Sequence, residues 1–73
     1  MTQADMVLDY MRQFGSITPL QALRDLGIMR LASRITDLRR KGHVIKRDMV
    51  EIVNRYGHKT RIARYSLAEV VAA

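Results

Sequence analysis

Arginine supplies most of the chemistry that this sequence offers. Ten of its thirteen basic residues are Arg, whose planar guanidinium donates paired hydrogen bonds that match a phosphate or a guanine edge. The other reactive side chains form no recognisable site: His43 and His58 are far apart, cysteine is absent, and no serine has a base at a familiar spacing. The residue types indicate binding to an anion, without catalysis, a metal or a cofactor.

The basic residues are concentrated in the later two thirds of the chain. Residues 1–27 hold two basic and three acidic residues, a net charge of −1, whereas residues 28–73 hold eleven basic and four acidic residues, a net charge of +7. A basic region of this kind is typical of a surface that binds nucleic acid or another polyanion.

A chain of 73 residues is long enough for one small domain. We expect a single domain over residues 1–73, with its core in residues 2–67 and a tail at 68–73. Without disulfides, its stability must come from packing of aliphatic side chains. Charged residues interrupt the first fifteen positions, so we expect neither a signal peptide nor a membrane span.

Two amphipathic helices are predicted in the first part of the chain. The first is capped by Thr2 and ends at Gly15, and its apolar residues recur at helical spacing: Ala4, Val7, Leu8, Met11 and Phe14. After a short strand at residues 16–17, Thr18-Pro19-Leu20-Gln21 forms a capping box with proline at the first helical position. The second helix turns Leu23 and Leu26 inward and ends at Gly27. The amides at Thr18 to Gln21 are predicted to bind a phosphate.

The third helix is expected to have one apolar side and one basic side. It is predicted over about residues 30–41, with Leu31, Ile35 and Leu38 inward and Gly42 at its end. On a helical wheel, the opposite side gathers polar residues within about 100°: Arg30, Ser33, Arg34, Asp37, Arg40 and Lys41. One side therefore packs, and the other is free to bind.

After Gly42 the pattern changes from helix to strand. Residues 43–54 are rich in Val and Ile, Gly57 signals a turn, and Ala63, Tyr65 and Leu67 alternate at period two. We expect a β-hairpin with a basic loop at residues 55–60. Its candidate binding residues are Arg55, His58, Lys59 and Arg61.

Three helices followed by a hairpin form the pattern of an α+β winged helix-turn-helix, a three-helix bundle with a β-hairpin wing. The segment from Ser16 to Gly42, the run Asn54-Arg55-Tyr56-Gly57 and the strand Ala63-Arg64-Tyr65-Ser66-Leu67 resemble a family of small winged helix-turn-helix DNA-binding proteins common in bacteriophages and prophages. The resemblance covers residues 2–67 and departs at Met29, where a Ser or Thr cap often precedes the third helix.

The predicted partner is double-stranded DNA, with no cofactor, membrane or small-molecule substrate. Arg30 and Arg34 are expected to contact base edges, because the pairing of Arg with guanine is the commonest specific contact. Ser33 is expected to contact a base or a phosphate. Arg40 and Lys41 are expected to contact phosphates, and the hairpin loop the DNA backbone or a minor groove. For Asp37, we favour an i,i+4 ion pair with Lys41 over a bond to cytosine or to Arg34.

Three functions stay open from the sequence. The first is sequence-specific DNA binding by a transcriptional regulator or phage-type accessory factor, in the cytoplasm of a bacterium or a phage-infected cell. The second is a protein-interaction module whose basic face docks an acidic partner, with Met6 and Tyr10 as a second patch. The third is non-specific architectural binding of DNA or RNA. A homodimer or an array on DNA is a further expectation, with contacts through the first helix, Val70 and Val71.

Overall fold

The computed structural model describes residues 1–68, which form three helices and a hairpin. Helix α1 (Gln3–Phe14) is followed by α2 (Pro19–Gln21), which continues directly into a π-helical stretch (Ala22–Leu26), and then by α3 (Leu31–Arg40). Strands β1 (Ile45–Val53) and β2 (Lys59–Leu67) pair antiparallel. The predicted α+β architecture is confirmed. Val70 and Val71, expected as dimer contacts, lie outside the described residues.

Helix α1 begins with a reciprocal cap. The Thr2 hydroxyl accepts a hydrogen bond from the Asp5 amide, and the Asp5 carboxylate accepts one from the Thr2 amide, both at 3.1 Å. The bond from the Thr2 amide to the carboxylate, followed by the nearby Thr2 hydroxyl, holds the pKa of Asp5 below its usual value. Ala4, Val7 and Met11 are buried as predicted. The prediction for Phe14 is wrong: it is 66% exposed in the last position of α1, where its ring lies against that of Tyr10.

The second helix departs from regular α-helical periodicity. Leu23, predicted to face inward, is 50% exposed, whereas Ala22 is fully buried and Leu26 packs partly against the core. A π-helical turn holds more residues than an α-helical one, so side chains after Gln21 rotate away from the positions that α-helical spacing predicts. The helix ends at Gly27, whose φ of 68° is left-handed.

The core lies between α1, α3 and the base of the hairpin. Leu31, Ile35 and Leu38 form the buried side of α3, as predicted. They belong to one cluster with residues from α1, the π-helical stretch, both strands and two connecting segments: Ala4, Val7, Tyr10, Met11, Ile17, Ala22, Ile28, Ile45 and Tyr65. Ile28, between the second helix and α3, is 1% exposed and anchors the turn before α3 to this core. The buried stripe of α3 fixes which side of that helix faces solvent.

The hairpin packs against the body only at its base. Tyr65 is buried, and Ala63 and Leu67 pack against the core, so the predicted period-two pattern is confirmed. The predicted strand at residues 16–17 is reduced to a single bridge, in which the amide of each of Ile17 and Tyr65 donates to the carbonyl of the other, at 2.8 and 2.9 Å. The far end projects into solvent: Val53 is 64% exposed and Tyr56 81%.

Candidate nucleic-acid interface

The polar side of α3 faces solvent opposite its buried stripe. Arg30 occupies the N-cap position without a side-chain capping bond, and Lys41 is the C-cap residue. Arg30, Ser33, Arg40 and Lys41 are exposed, whereas Arg34 and Asp37 are half-buried. All six predicted residues of this helix are therefore accessible, in whole or in part. We name this set the α3 polar face: Arg30, Ser33, Arg34, Asp37, Arg40 and Lys41.

Asp37 lies beside Arg34, and not beside Lys41 as the favoured prediction had it. The Nε atom of Arg34 is 3.5 Å from Oδ2 of Asp37, one helical turn along α3. This distance allows an ion pair but not a short hydrogen bond, and the Nε atom is buried without a hydrogen-bond partner among residues 1–68. The contact holds the stem of Arg34 in place.

The N-terminus of α1 flanks the α3 polar face. An open groove of about 400 Å³ is lined by Thr2, Gln3 and Ala4 on one side and by Arg34, Asp37, Arg40 and Lys41 on the other. Thr2 and Gln3 were missed from the sequence because they are distant from α3 along the chain. A ligand on this side of α3 meets polar groups from both helices.

The predicted phosphate site at the start of α2 has fewer free amides than expected. The amide of Thr18 donates to the Gln21 side chain at 3.0 Å, and the amide of Gln21 donates to the Thr18 hydroxyl at 3.2 Å. Pro19 has no N–H, so Leu20 carries the one amide of this segment outside the capping box. The capping box that starts the helix therefore uses two of the amides that were predicted to bind a phosphate.

The hairpin turn is organised by Asn54. Its side-chain oxygen accepts hydrogen bonds from the amides of Tyr56 at 2.9 Å and His58 at 3.0 Å, while Gly57 adopts a φ of 77°. Arg55 and His58 lie exposed in this turn, as predicted. An Asn shortly before a Gly-containing turn is the sequence signal for this arrangement.

Lys59 and Arg61 lie in β2 and not in the loop where the sequence placed Lys59. Lys59 pairs with Val53 across the hairpin, and its ammonium is 3.6 Å from the Glu51 carboxylate. Arg61 is directly opposite Glu51. Both basic side chains are exposed, and they share one acidic neighbour on the same face of the hairpin.

Arg39 connects α3 to the hairpin. Its Nη2 atom donates to the carbonyl oxygen of Ile45 at 2.9 Å, so it points away from the α3 polar face. This contact fixes the start of β1 relative to the last turn of α3. Sequence spacing gave no sign of it, because the bond depends on how the chain turns at residues 41–44.

Tyr10 is part of a part-buried contact between α1 and the second helix. Its hydroxyl donates to Oδ2 of Asp25 at 2.6 Å, and Nε of Arg24 donates to Oδ1 of the same carboxylate at 3.0 Å. These bonds, from Arg24 first and Tyr10 second, lower the pKa of Asp25, and the bond to Asp25 raises the pKa of Tyr10. Tyr10 is only 8% exposed, so its prediction as a surface patch is wrong.

Within residues 1–68, no three His, Asp or Glu side chains gather as ligands for a metal ion. None of the helices there is long and apolar enough to span a membrane.

A three-helix body, a third helix with an exposed basic face and a projecting antiparallel hairpin define the winged-helix class of DNA-binding domain. The family model for the winged helix-turn-helix domain matches residues 2–70, and the chain belongs to this family. Such a domain is typically a DNA-binding module and not a catalytic one. Comparisons with curated proteins and with solved structures give no match.

Proposed function

We propose that the chain binds a specific sequence of double-stranded DNA and acts in the cytoplasm as a transcriptional regulator or phage-type accessory factor. The observation that carries this proposal is the α3 polar face, which is accessible because the opposite side of the helix is buried. An α-helix about 10–12 Å across fits the major groove, where each base pair presents a distinct pattern of donors and acceptors.

Base readout belongs to the N-terminal half of α3. Arg30 is exposed beside the first turn, and Arg34 lies one turn further along the same side. Each guanidinium can donate two hydrogen bonds to a guanine. The contact with Asp37 restricts the motion of Arg34, so less side-chain entropy is lost when it binds. Ser33, between them, is placed for a base or a phosphate.

Backbone contacts surround this region. Arg40 and Lys41 at the end of α3 are assigned to phosphates, and the hairpin contributes its own basic residues: Arg55, His58, Lys59 and Arg61. At the start of α2, the Leu20 amide, framed by Thr18 and Gln21, is the donor available to a phosphate. Charge neutralisation on this scale makes affinity steeply dependent on salt.

The test is selection of bound DNA from a randomised duplex pool, with sequencing of the enriched fraction and a parallel salt titration. We expect a recovered motif and a slope of log affinity against log salt of about −4 to −6, which corresponds to about four to seven phosphate contacts. The same slope without a motif would replace this proposal with architectural binding. Affinity for generic DNA weaker than about 10⁻⁴ M at physiological salt would favour an acidic protein partner.

A further inference from the structure

Strand β1 has an outer edge that no other segment within residues 1–68 pairs with. Two hydrogen bonds, one at each end of the hairpin, show which residues of β1 bond to β2. The Ala68 amide donates to the Val44 carbonyl at 2.9 Å, and the Asn54 amide donates to the His58 carbonyl at 2.8 Å. Antiparallel ladders bond every second residue, so the even-numbered residues of β1 bond to β2. The backbone groups of Arg47, Met49 and Glu51 therefore point away from β2.

The outer edge of β2 confirms this pattern. Tyr65 lies opposite Arg47 in the register, and its amide and carbonyl point outward to bond with Ile17. At the base of β1, Arg39 closes the corresponding edge by binding the Ile45 carbonyl. The free part of the β1 edge thus runs from Arg47 to Val53. Unpaired strand edges are templates for pairing with a further strand.

The charges on this free edge are complementary to a second copy of themselves. Arg47 and Glu51 lie two residues on either side of Met49, on one face of the strand. Antiparallel pairing of two β1 strands about Met49 places Arg47 of each copy opposite Glu51 of the other. The two neighbouring registers lack this complementarity. Pairing of the strands about Asp48 brings the Asp48 side chains of the two copies together, and pairing about Val50 forms no ion pair between Arg47 and Glu51.

We propose that two copies of this chain associate through their β1 edges, antiparallel about Met49, to form a four-stranded sheet. Each opposed pair of outward residues exchanges two backbone hydrogen bonds, and the Met49 side chains, 47% exposed in the single chain, meet at the two-fold axis. The arrangement is closed, because the same edge serves both copies. The β2 edge is less suited to this contact, because its outward residues include Lys59 and Arg61 and no acidic residue to pair with them.

This inference goes beyond the proposed function, and its test needs no DNA. Sedimentation of the full chain is expected to give twice the monomer mass of 8.4 kDa. Arg47→Glu places two acidic pairs across the edge and Glu51→Arg two basic pairs, so each variant alone is expected to dimerise at least about tenfold more weakly. An equimolar mixture restores both ion pairs, and we expect a heterodimer to form.

Lys46→Glu is the matched control, because it makes the same charge change one residue away, on the opposite face of the strand. We expect this variant to stay dimeric, and circular dichroism checks that every variant is folded. A second probe, Met49→Pro, removes an amide that points away from β2, so the hairpin is kept and the dimer is lost. A native chain that is monomeric at about 1 mM, or a mixture that stays monomeric, would overturn the proposal.

Discussion

At the scale of single residues, Arg34 is the sharpest test of base readout. We expect Arg34→Ala to lose about 1–3 kcal/mol of binding free energy on the selected duplex and to accept several bases where the native chain accepts one. Fluorescence anisotropy with the selected duplex and its single-base variants measures both effects. The reason is that a bidentate contact to guanine discriminates, whereas a phosphate contact does not.

Arg12→Ala is the control for this experiment. It removes the same charge from an exposed position of α1, in a surface region shared with Met1, Asp5, Leu8 and Asp9 and not with α3. We expect it to leave the base preference unchanged. If both variants weakened binding to every duplex by the same factor, direct readout by α3 would be wrong.

The lowered pKa of Asp25 predicts how the stability of the fold depends on pH. Bonds from Arg24 and Tyr10 lower its pKa in the folded chain below the usual 3.8, so their stabilisation is present above that pH and is lost as the pH falls through the folded value. We expect Asp25→Asn to be less stable at neutral pH and to lose part of the decline in stability on acidification. Urea unfolding from pH 7 to pH 2 measures this.

Tyr10→Phe removes one of the two hydrogen-bond donors to the Asp25 carboxylate and keeps the other, Arg24. The raised pKa of Tyr10 means that the native chain loses stability as the pH rises above 10.0, and the variant lacks this loss. Tyr56→Phe is the control, since that side chain is 81% exposed in the hairpin turn. Equal effects of the two substitutions would show that the Tyr10 hydroxyl does not connect α1 to the second helix.

At the scale of elements, the turn into α3 depends on Gly27. Its φ of 68° favours glycine, and a Cβ built there meets no atom within 4 Å, so the strain of a substitution is conformational and not steric. We expect Gly27→Ala to cost about 1 kcal/mol of unfolding free energy, and Gly27→Asn to cost less because Asn tolerates this conformation. Chemical denaturation ranks the three chains, and equal stability of the Ala variant and the native chain would contradict the argument.

Elements with regular periodicity could be predicted from the sequence, and irregular ones could not. The buried stripe of α3 and the alternation of Ala63, Tyr65 and Leu67 follow directly from spacings of 3.6 and 2.0. Leu23 was misplaced because the π-helical stretch changes the spacing itself. Tyr10 follows Val7 by three residues and lies on the same buried side of α1, so its burial agrees with helical spacing; its hydrogen bond to Asp25, fifteen residues away, is what no local pattern reveals.

The candidate site likewise has features that could be predicted from the sequence and features that could not. Which residues share the solvent side of α3 follows from helix geometry alone, so the α3 polar face was predictable as a set. Their partners were not: Asp37 has basic neighbours at i−3 and i+4, and only the packed structure selects Arg34. From the sequence, the amides of Thr18 and Gln21 could form a capping box or bind a phosphate, and in the structure both amides form the capping box.

At the scale of the whole molecule, the body and the hairpin have separable roles. The apolar cluster ends at the base of the hairpin, and residues 51–61 are all exposed. Stability therefore resides in the body, while the far hairpin adds charge and reach. The Arg39 contact with Ile45 fixes where β1 begins relative to α3, so the base of the hairpin has a defined orientation relative to the α3 polar face.

Shortening the hairpin tests this division. Joining Ile52 to Thr60 through Asn-Gly closes a hydrogen-bonded pair with a favoured two-residue turn and removes Arg55, His58 and Lys59, while the β1 edge from Arg47 to Glu51 is kept. We expect the selected motif and the midpoint of urea unfolding to be nearly unchanged. The salt slope should become shallower by about 2, one unit for each fixed positive charge removed from a phosphate. An unchanged slope would mean that the turn does not contact the backbone, and a lost motif would mean that the hairpin reads bases.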